Sequence, residues 1–214
     1  MAGLVYLVAS GQDGLLGQMA QRAMRDIGKK SPRIAVSYAP VEGDKQGLKF
    51  MSERMPGLFP GATLEAIEHD RAVVDRADLV FVSGGDPTHG AKVLARTGAA
   101  GWLREAHARG TPMMGVSAGA IVLGAWWIDW PEDEDAPEEQ ADLVPCIGVL
   151  PGHVFDTHDE VDGWEELHVA SRLLARRGEK AHFLGIPTKG ALVFDAEGGL
   201  GAMEVVGESP FTLG

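Results

Sequence analysis

The stretch Gly115-Val116-Ser117-Ala118-Gly119 sets a serine between two glycines, where an apolar strand-like run (Thr111 to Val116) passes into an apolar helix expected over Ala118 to Ala125. A strand that turns sharply into a helix at a Gly-x-Ser-x-Gly sequence exposes the serine hydroxyl at the carboxyl edge of a sheet. The residue after the serine then points a backbone N–H at a developing oxyanion. Glycines suit such a turn because it is strained and packs strand against helix with no room for side chains. The same pentapeptide also suits a serine that merely caps the helix. In a chain with 29 glycines it is weak evidence alone. Nucleophilic chemistry further requires a base within hydrogen-bond reach, a group that orients the base, and oxyanion donors.

Seven histidines are candidate bases. His69, His107 and His168 fall in expected helices and read as surface or packing residues, and His182 opens a terminal strand. His89 follows the turn Ser83-Gly84-Gly85-Asp86 and is placed to approach a site there. His153 and His158 lie in Leu150-Pro151-Gly152-His153-Val154-Phe155-Asp156-Thr157-His158-Asp159-Glu160, which leaves a strand for a polar loop, a usual home of catalytic side chains. The grouping of His153, Asp156, His158 and Asp159 or Asp162 raises a metal-dependent alternative, but its spacing matches no zinc signature. No metal and no cofactor are expected.

Around these residues the chain alternates. Strand-like runs at 3–9, 33–38, 62–68, 77–82 and 111–116 are separated by helical patterns at 14–25, 44–55 (ending before Pro56), 69–76 and 88–109, the last broken near 98–101. Such alternation predicts an α/β fold with a mostly parallel central sheet and helices on both faces. Sites in such sheets form at strand carboxyl ends. Ser117 and the Ser83-Gly84-Gly85 turn both sit there and can be neighbours. After an acidic loop, 146–155 is β-like around Pro151-Gly152, 160–177 is helical, and strands at 181–186, 191–195 and 200–206 make a C-terminal β-rich extension, with a Glu197-Gly198-Gly199 turn between the last two. No repeat or linker divides residues 1–214, which read as one domain.

The net charge of −12 argues against nucleic acid as a partner. Eight acids lie between Asp129 and Asp142 with no base among them, and removing those eight from −12 leaves −4. That loop reads as a solvated surface, or more sharply as an acidic rim selecting cationic substrates. No apolar run approaches a bilayer-spanning length, and the N-terminus reads as a first strand, so no membrane partner is expected. The single Cys146 excludes an internal disulfide and fits a reducing, cytoplasmic setting. Glycines 11, 14 and 17 do not make a dinucleotide fingerprint. Trp126-Trp127-Ile128-Asp129-Trp130 reads as core packing with one exposed edge; the alternatives are an apolar wall of the substrate pocket or a homodimer contact.

The elbow at Ser117, the upstream Ser83-Gly84-Gly85-Asp86, the segment Leu150-Pro151-Gly152 with Asp156-Thr157-His158, and the closing Gly185-Ile186-Pro187 with Gly190-Ala191-Leu192-Val193 occur in one order and at one spacing. That ordered set resembles the dipeptidase E/cyanophycinase family of serine peptidases. The resemblance implies a flavodoxin-like, class I glutamine amidotransferase-like fold with serine in place of cysteine. It further implies Ser117 as nucleophile, His158 as base, an oxyanion hole from the N–H groups of Gly85 and Ala118, and a small peptide or amide as substrate. Gly84 and Asp86, with Asp159 and Glu166 after the histidine, are the substrate-binding candidates.

Two departures stand out. The family's third catalytic member is a glutamate after the Gly-hydrophobic-Pro segment, where this chain has Thr188. A threonine accepts a hydrogen bond from imidazole but does not offset its charge, and loss of that charge costs orders of magnitude in other triads. Thr188 or a nearby carboxylate (Asp156, Asp159, Glu160 or Asp162) must serve, or the chain is a catalytically weakened binding or regulatory protein. The family also carries arginines just after the histidine, against acidic substrate side chains. Here that stretch is Asp159-Glu160-Val161-Asp162-Gly163-Trp164-Glu165-Glu166, so neutral or basic substrates are expected rather than acidic ones.

Overall fold

The computed structural model describes residues 2–11, 14–67, 69–131, 133, 137–195, 199–200 and 203–213, without the side chain of Glu139. Much of the acidic loop and of the Glu197-Gly198-Gly199 turn therefore lies outside the described residues, as do Glu68 and the 201–202 end of the last expected strand.

Five parallel strands form the centre: β1 (Val5–Val8), β2 (Arg33–Ser37), β3 (Thr63–Ala66), β4 (Leu79–Val82) and β5 (Met113–Val116). Two antiparallel strands, β10 (Gly190–Phe194) and β11 (Glu204–Gly207), extend the sheet beyond β1, giving the order β11-β10-β1-β5-β4-β2-β3. Side chains alternate across a strand, and here both faces are covered. Val5, Leu7, Val80, Val82 and Met113 enter one apolar cluster; Tyr6, Val8, Leu79, Phe81 and Met114 enter the other. The first cluster is closed by α3 (Arg71–Asp75), α4 (Pro87–Thr97), α5 (Ala99–Ala108) and α6 (Ala118–Val122). The second is closed by α1 (Leu15–Ile27) and α2 (Lys45–Leu58). This is the mostly parallel, doubly covered sheet that the alternation predicts. No helix among the described residues is long and apolar enough to cross a membrane.

A smaller sheet carries the rest. β8 (His153–Thr157) pairs parallel with β9 (His182–Ile186), and β12 (Phe211–Leu213) adds antiparallel to β9. A hairpin of β6 (Trp126–Asp129) and β7 (Asp142–Pro145) stands beside it. Helix α7 (Glu165–Arg176) covers both, its Leu167, Ala170, Leu173 and Leu174 packing with Ile128, Leu143, Val154 and Phe183. The smaller sheet docks on the larger through Phe155, Leu184 and Ile186, which share the first cluster. At that seam Gly124 leaves no space for a side chain: a Cβ would lie 2.9 Å from both the His153 carbonyl oxygen and the Phe155 ring.

Several boundaries differ from the sequence reading. Helix α2 continues through Pro56 to Leu58 instead of ending before it, because a proline in the last turn forfeits one hydrogen bond while Phe59 N–H still reaches the Met55 carbonyl. Residues 146–150 are not a strand; their N–H groups bond back to the end of α6, as in Ile147 N–H to the Val122 carbonyl. The β6–β7 hairpin was hidden because Trp126 to Asp129 reads as core packing and its partner lies beyond the acidic loop. Helix α7 starts at Glu165, not 160, since Trp164 sits at φ 65°, left-handed, at its N-cap.

Candidate active site

Ser117 stands between β5 and α6 at φ 52°, ψ −125°, outside the regions an L-residue prefers. Its neighbours hold it there. Ser117 N–H bonds the Val8 carbonyl at 2.9 Å, and Ala120 N–H bonds the Ser117 carbonyl at 2.7 Å. Both flanking glycines have a steric reason. A Cβ on Gly115 would run into the Gly119 carbonyl, and a Cβ on Gly119 into the Val82 carbonyl. The elbow is thus pressed onto the end of β4, where the Gly84-Gly85 turn begins. Gly85 is at φ +139°, and any side chain there would strike the Pro40 carbonyl. Gly84 comes close to the serine, a Cβ there lying 3.4 Å from Ser117 Cβ.

Ser117 Oγ lies 2.9 Å from His158 Nε2. His158 directly follows β8, again in a left-handed conformation (φ 52°), with its N–H on the Ile186 carbonyl at 2.9 Å. The parallel pairing of β8 with β9 therefore delivers the imidazole to the elbow. Two non-glycine residues in costly backbone states face each other across a hydrogen bond, a concentration of strain that marks functional sites. His153 is elsewhere. It is buried, stacks on Phe155, and pairs Nδ1 with the Pro151 carbonyl at 3.2 Å. It takes no part in a metal set with Asp156 or His158. The group whose donor atoms lie close enough to share an ion is Asp156, Asp159 and Glu166, all within 4.8 Å of one another.

Thr188 borders the site and hands its N–H to Glu160 Oε1 at 2.9 Å. Burial pushes the Glu160 carboxyl upward, but the Thr188 hydroxyl and N–H, its own N–H and the nearby His158 outweigh that and hold it below the usual carboxylate range. None of Asp156, Asp159, Glu160 or Asp162 hydrogen-bonds His158 directly. The imidazole is among the influences that lower the Glu160 carboxyl. The spacing offered it only as one of four nearby acids; the signal that singles it out is the exchange of glutamate for threonine at 188. Asp162 is exposed and lines neither cavity at the serine. Asp86 also stays out of both, accepting from His89 N–H at 2.9 Å as the cap of α4.

Ser117, His158 and Gly85 separate two cavities. The larger, about 590 Å³, is bounded by apolar side chains of α1 and α2, among them Leu16, Phe50, Met51 and Leu58, with Arg54 at its rim. Gly84 and Thr188 line it too. The smaller, about 190 Å³, is bounded by Gly85, Ala118, Trp127, Asp156, Asp159 and Glu166 among others. Trp127, 5% exposed, therefore both packs in the core and walls a cavity. Burial drives the Asp156 carboxyl up to about 8, reinforced by Glu166 and Asp159 against the opposing Thr157 N–H. Burial and Asp159 likewise raise Glu166. Cys146 is buried at 6% exposure and its thiol is pushed far up, so it offers no thiolate.

The sequence profile of peptidase family S51 matches residues 59–199. The chain belongs to that family. An S51 member is a serine peptidase-type hydrolase, and the architecture agrees. A peptidase from an acI-B1 Actinobacterium superposes with a TM-score of 0.72 over 97% of this chain and 88% of that one, at 21% identity. A candidate peptidase E from Listeria monocytogenes EGD-e gives 0.64 at 14% identity, covering 100% of both chains. At such identities these two speak for the fold. The pyridoxal 5'-phosphate synthase subunit PdxT of Methanosarcina barkeri is 37% identical over 62 residues, 29% of this S51 chain and 30% of PdxT itself.

Proposed function

We propose that this S51 chain is a serine peptidase or amide hydrolase with Ser117 as nucleophile and His158 as its base, acting on small peptides with neutral or basic rather than acidic residues. The 2.9 Å contact between Ser117 Oγ and His158 Nε2 carries the reading. Ser117 Oγ attacks the amide carbonyl as His158 Nε2 takes its proton. The oxyanion forms against the N–H groups of Gly85 and Ala118; the latter opens α6, where an amide has no intrahelical partner. Collapse returns the proton to the leaving amine and leaves an acyl-serine. Water, deprotonated by the same imidazole, then releases the acid and restores Ser117.

Glu160 takes over the charge role of the glutamate that Thr188 replaces. The Thr188 N–H and hydroxyl fix its carboxylate near the imidazole, so that it stabilises the imidazolium without touching substrate. The test is labelling with an active-site acylating reagent alongside hydrolysis of aminoacyl amides. Both are expected in the wild type and absent in Ser117→Ala. Absence of both in the wild type would instead support a binding or regulatory protein.

A further inference from the structure

Beside the nucleophile, three carboxyl groups converge with no cation among them. Asp156 is 4% exposed, and its Oδ2 and the buried Asp159 Oδ2 find no donor among the described residues beyond the neighbouring acids themselves. Together with Glu166 they bound the smaller cavity, whose other wall is apolar: Pro87, Ile121 and Trp127. A buried carboxylate oxygen without a partner is costly. Burial, with the neighbouring acids behind it, accordingly raises the Asp156 and Glu166 carboxyls.

The backbone builds this cavity deliberately tight. Trp164 lies flat on Gly185, where a Cβ would collide with its indole, and stacks on Phe211 at 5.8 Å. Its N–H closes the turn onto the Asp159 carbonyl at 3.1 Å. Asp159 and Glu166 are therefore held from the two sides of one clamped turn, facing Asp156 on β8.

We propose that this cavity is the recess for a primary ammonium group carried by the acyl residue of the substrate. The inference rests on the hydrolase reading above and names its substrate class. An ammonium has three N–H donors. Acceptors placed tetrahedrally at the ~2.8 Å of a charge-assisted hydrogen bond stand roughly 4.6 Å apart. One oxygen from each of Asp156, Asp159 and Glu166 lies within 4.8 Å of the others, inside the span that acceptors around one ammonium occupy. The apolar wall suits the carbon chain behind the charge. Ala118 and Gly85, the oxyanion donors in the proposed mechanism, both line this cavity, so a carbonyl seated at Ser117 lies at its mouth. The ammonium comes either from a lysyl-type side chain or from the α-amine of an N-terminal residue, and the two sources need different substrates.

The experiment uses coumarin amides of lysine, Nα-acetyl-lysine, alanine, Nα-acetyl-alanine and Nα-acetyl-aspartate, with wild type, Asp159→Asn, Glu166→Gln and Ser117→Ala. Either ammonium-bearing class is expected to exceed acetyl-alanine amide in kcat/KM by about 10-fold or more. Preference for acetyl-lysine identifies the side chain, and preference for alanine over acetyl-alanine identifies the α-amine. Glu166→Gln and Asp159→Asn should each bring the kcat/KM ratio of the ammonium-bearing amide to acetyl-alanine amide close to one, chiefly by raising KM for the ammonium-bearing amide. Ser117-dependent turnover without any ammonium preference, or a preference unchanged in both carboxamide variants, overturns the proposal and leaves the hydrolase standing. Turnover independent of Ser117 removes the hydrolase reading instead. Calorimetric titration of Ser117→Ala with lysinamide and with calcium, magnesium and zinc salts decides without catalysis. Binding of lysinamide, lost in Glu166→Gln, supports the recess. Binding of a divalent ion with none of the amine overturns it.

Discussion

The two halves of the proposed catalytic pair are built in opposite ways. Ser117 is held by backbone against backbone: Gly119 on the Val82 carbonyl, Gly115 on Gly119, Ser117 N–H on Val8. His158 is held by a strand end, and the groups around it are charged side chains on a turn, several with oxygens that find no partner. One half is fixed by steric exclusion and tolerates no added atom. The other is fixed by hydrogen bonds and charge, and can exchange one carboxylate for another. In the proposed mechanism a nucleophile must not move, whereas the acids around its base select the substrate and can vary without disturbing the turn.

Gly119→Ala is the harshest test of that contrast. Its Cβ meets main-chain carbonyls of β4 that have no rotamer to adjust. We expect a loss of about 2–4 kcal/mol in stability, read as a lowered denaturation midpoint, together with near-complete loss of activity. A folded, active variant would show that the elbow has slack. Glu160→Gln should act more gently and only on the base. A fall in kcat of roughly 10- to 100-fold is expected, less than for a buried triad acid because Glu160 is exposed. The acid limb of the kcat/KM profile should also move to lower pH, since the imidazolium loses a stabilising charge. A fall in rate with an unmoved limb would assign Glu160 to structure alone.

The smallest effect concerns pH and stability. Asp156, with its carboxyl raised to about 8 in the fold, is favoured protonated by the native state. Its contribution is complete at acid pH, below the value it has when unfolded, and drains away as pH climbs through 8. The charges facing it are Asp159 and Glu166, with Glu165 acting on Glu166 and the His158 imidazole alongside. In thermal scans the wild type should lose several degrees between pH 6 and 9, at about 2–4 °C per kcal/mol, and Asp156→Asn should flatten that slope. Parallel slopes in both proteins would place the titration elsewhere.

The same contrast decides what was legible in the sequence. Steric demands write themselves into residue type, so Gly115-x-Ser117-x-Gly119 and Ser83-Gly84-Gly85 announced a strand-end site, and unbroken apolar runs announced buried parallel strands. His158 was separable from His153 only through the ordered resemblance, since both stand in one short segment that reads as a strand running into a polar loop. Polar partnerships leave no periodic trace. That Thr188 would grip Glu160, or that Asp156 would sit buried beside Glu166, depends on how β8, β9 and α7 meet. The β6–β7 hairpin was missed for a related reason: its partners are separated by the acidic loop, and pairing across a gap has no local pattern.

The 2.9 Å bond between Ser117 and His158 is also a seam between two sheets. The proposed nucleophile and oxyanion donors sit at strand ends of the seven-stranded sheet; the proposed base follows a strand of the three-stranded one. Amide protons in β4 and β5, deep in the larger sheet, exchange with solvent only when the whole core opens. Those of β8 and β9 are also released by any local event that lifts the smaller sheet from Phe155, Leu184 and Ile186. Such an event would part the proposed base from Ser117 with the larger sheet still folded, so on warming the site is expected to fail before the core does.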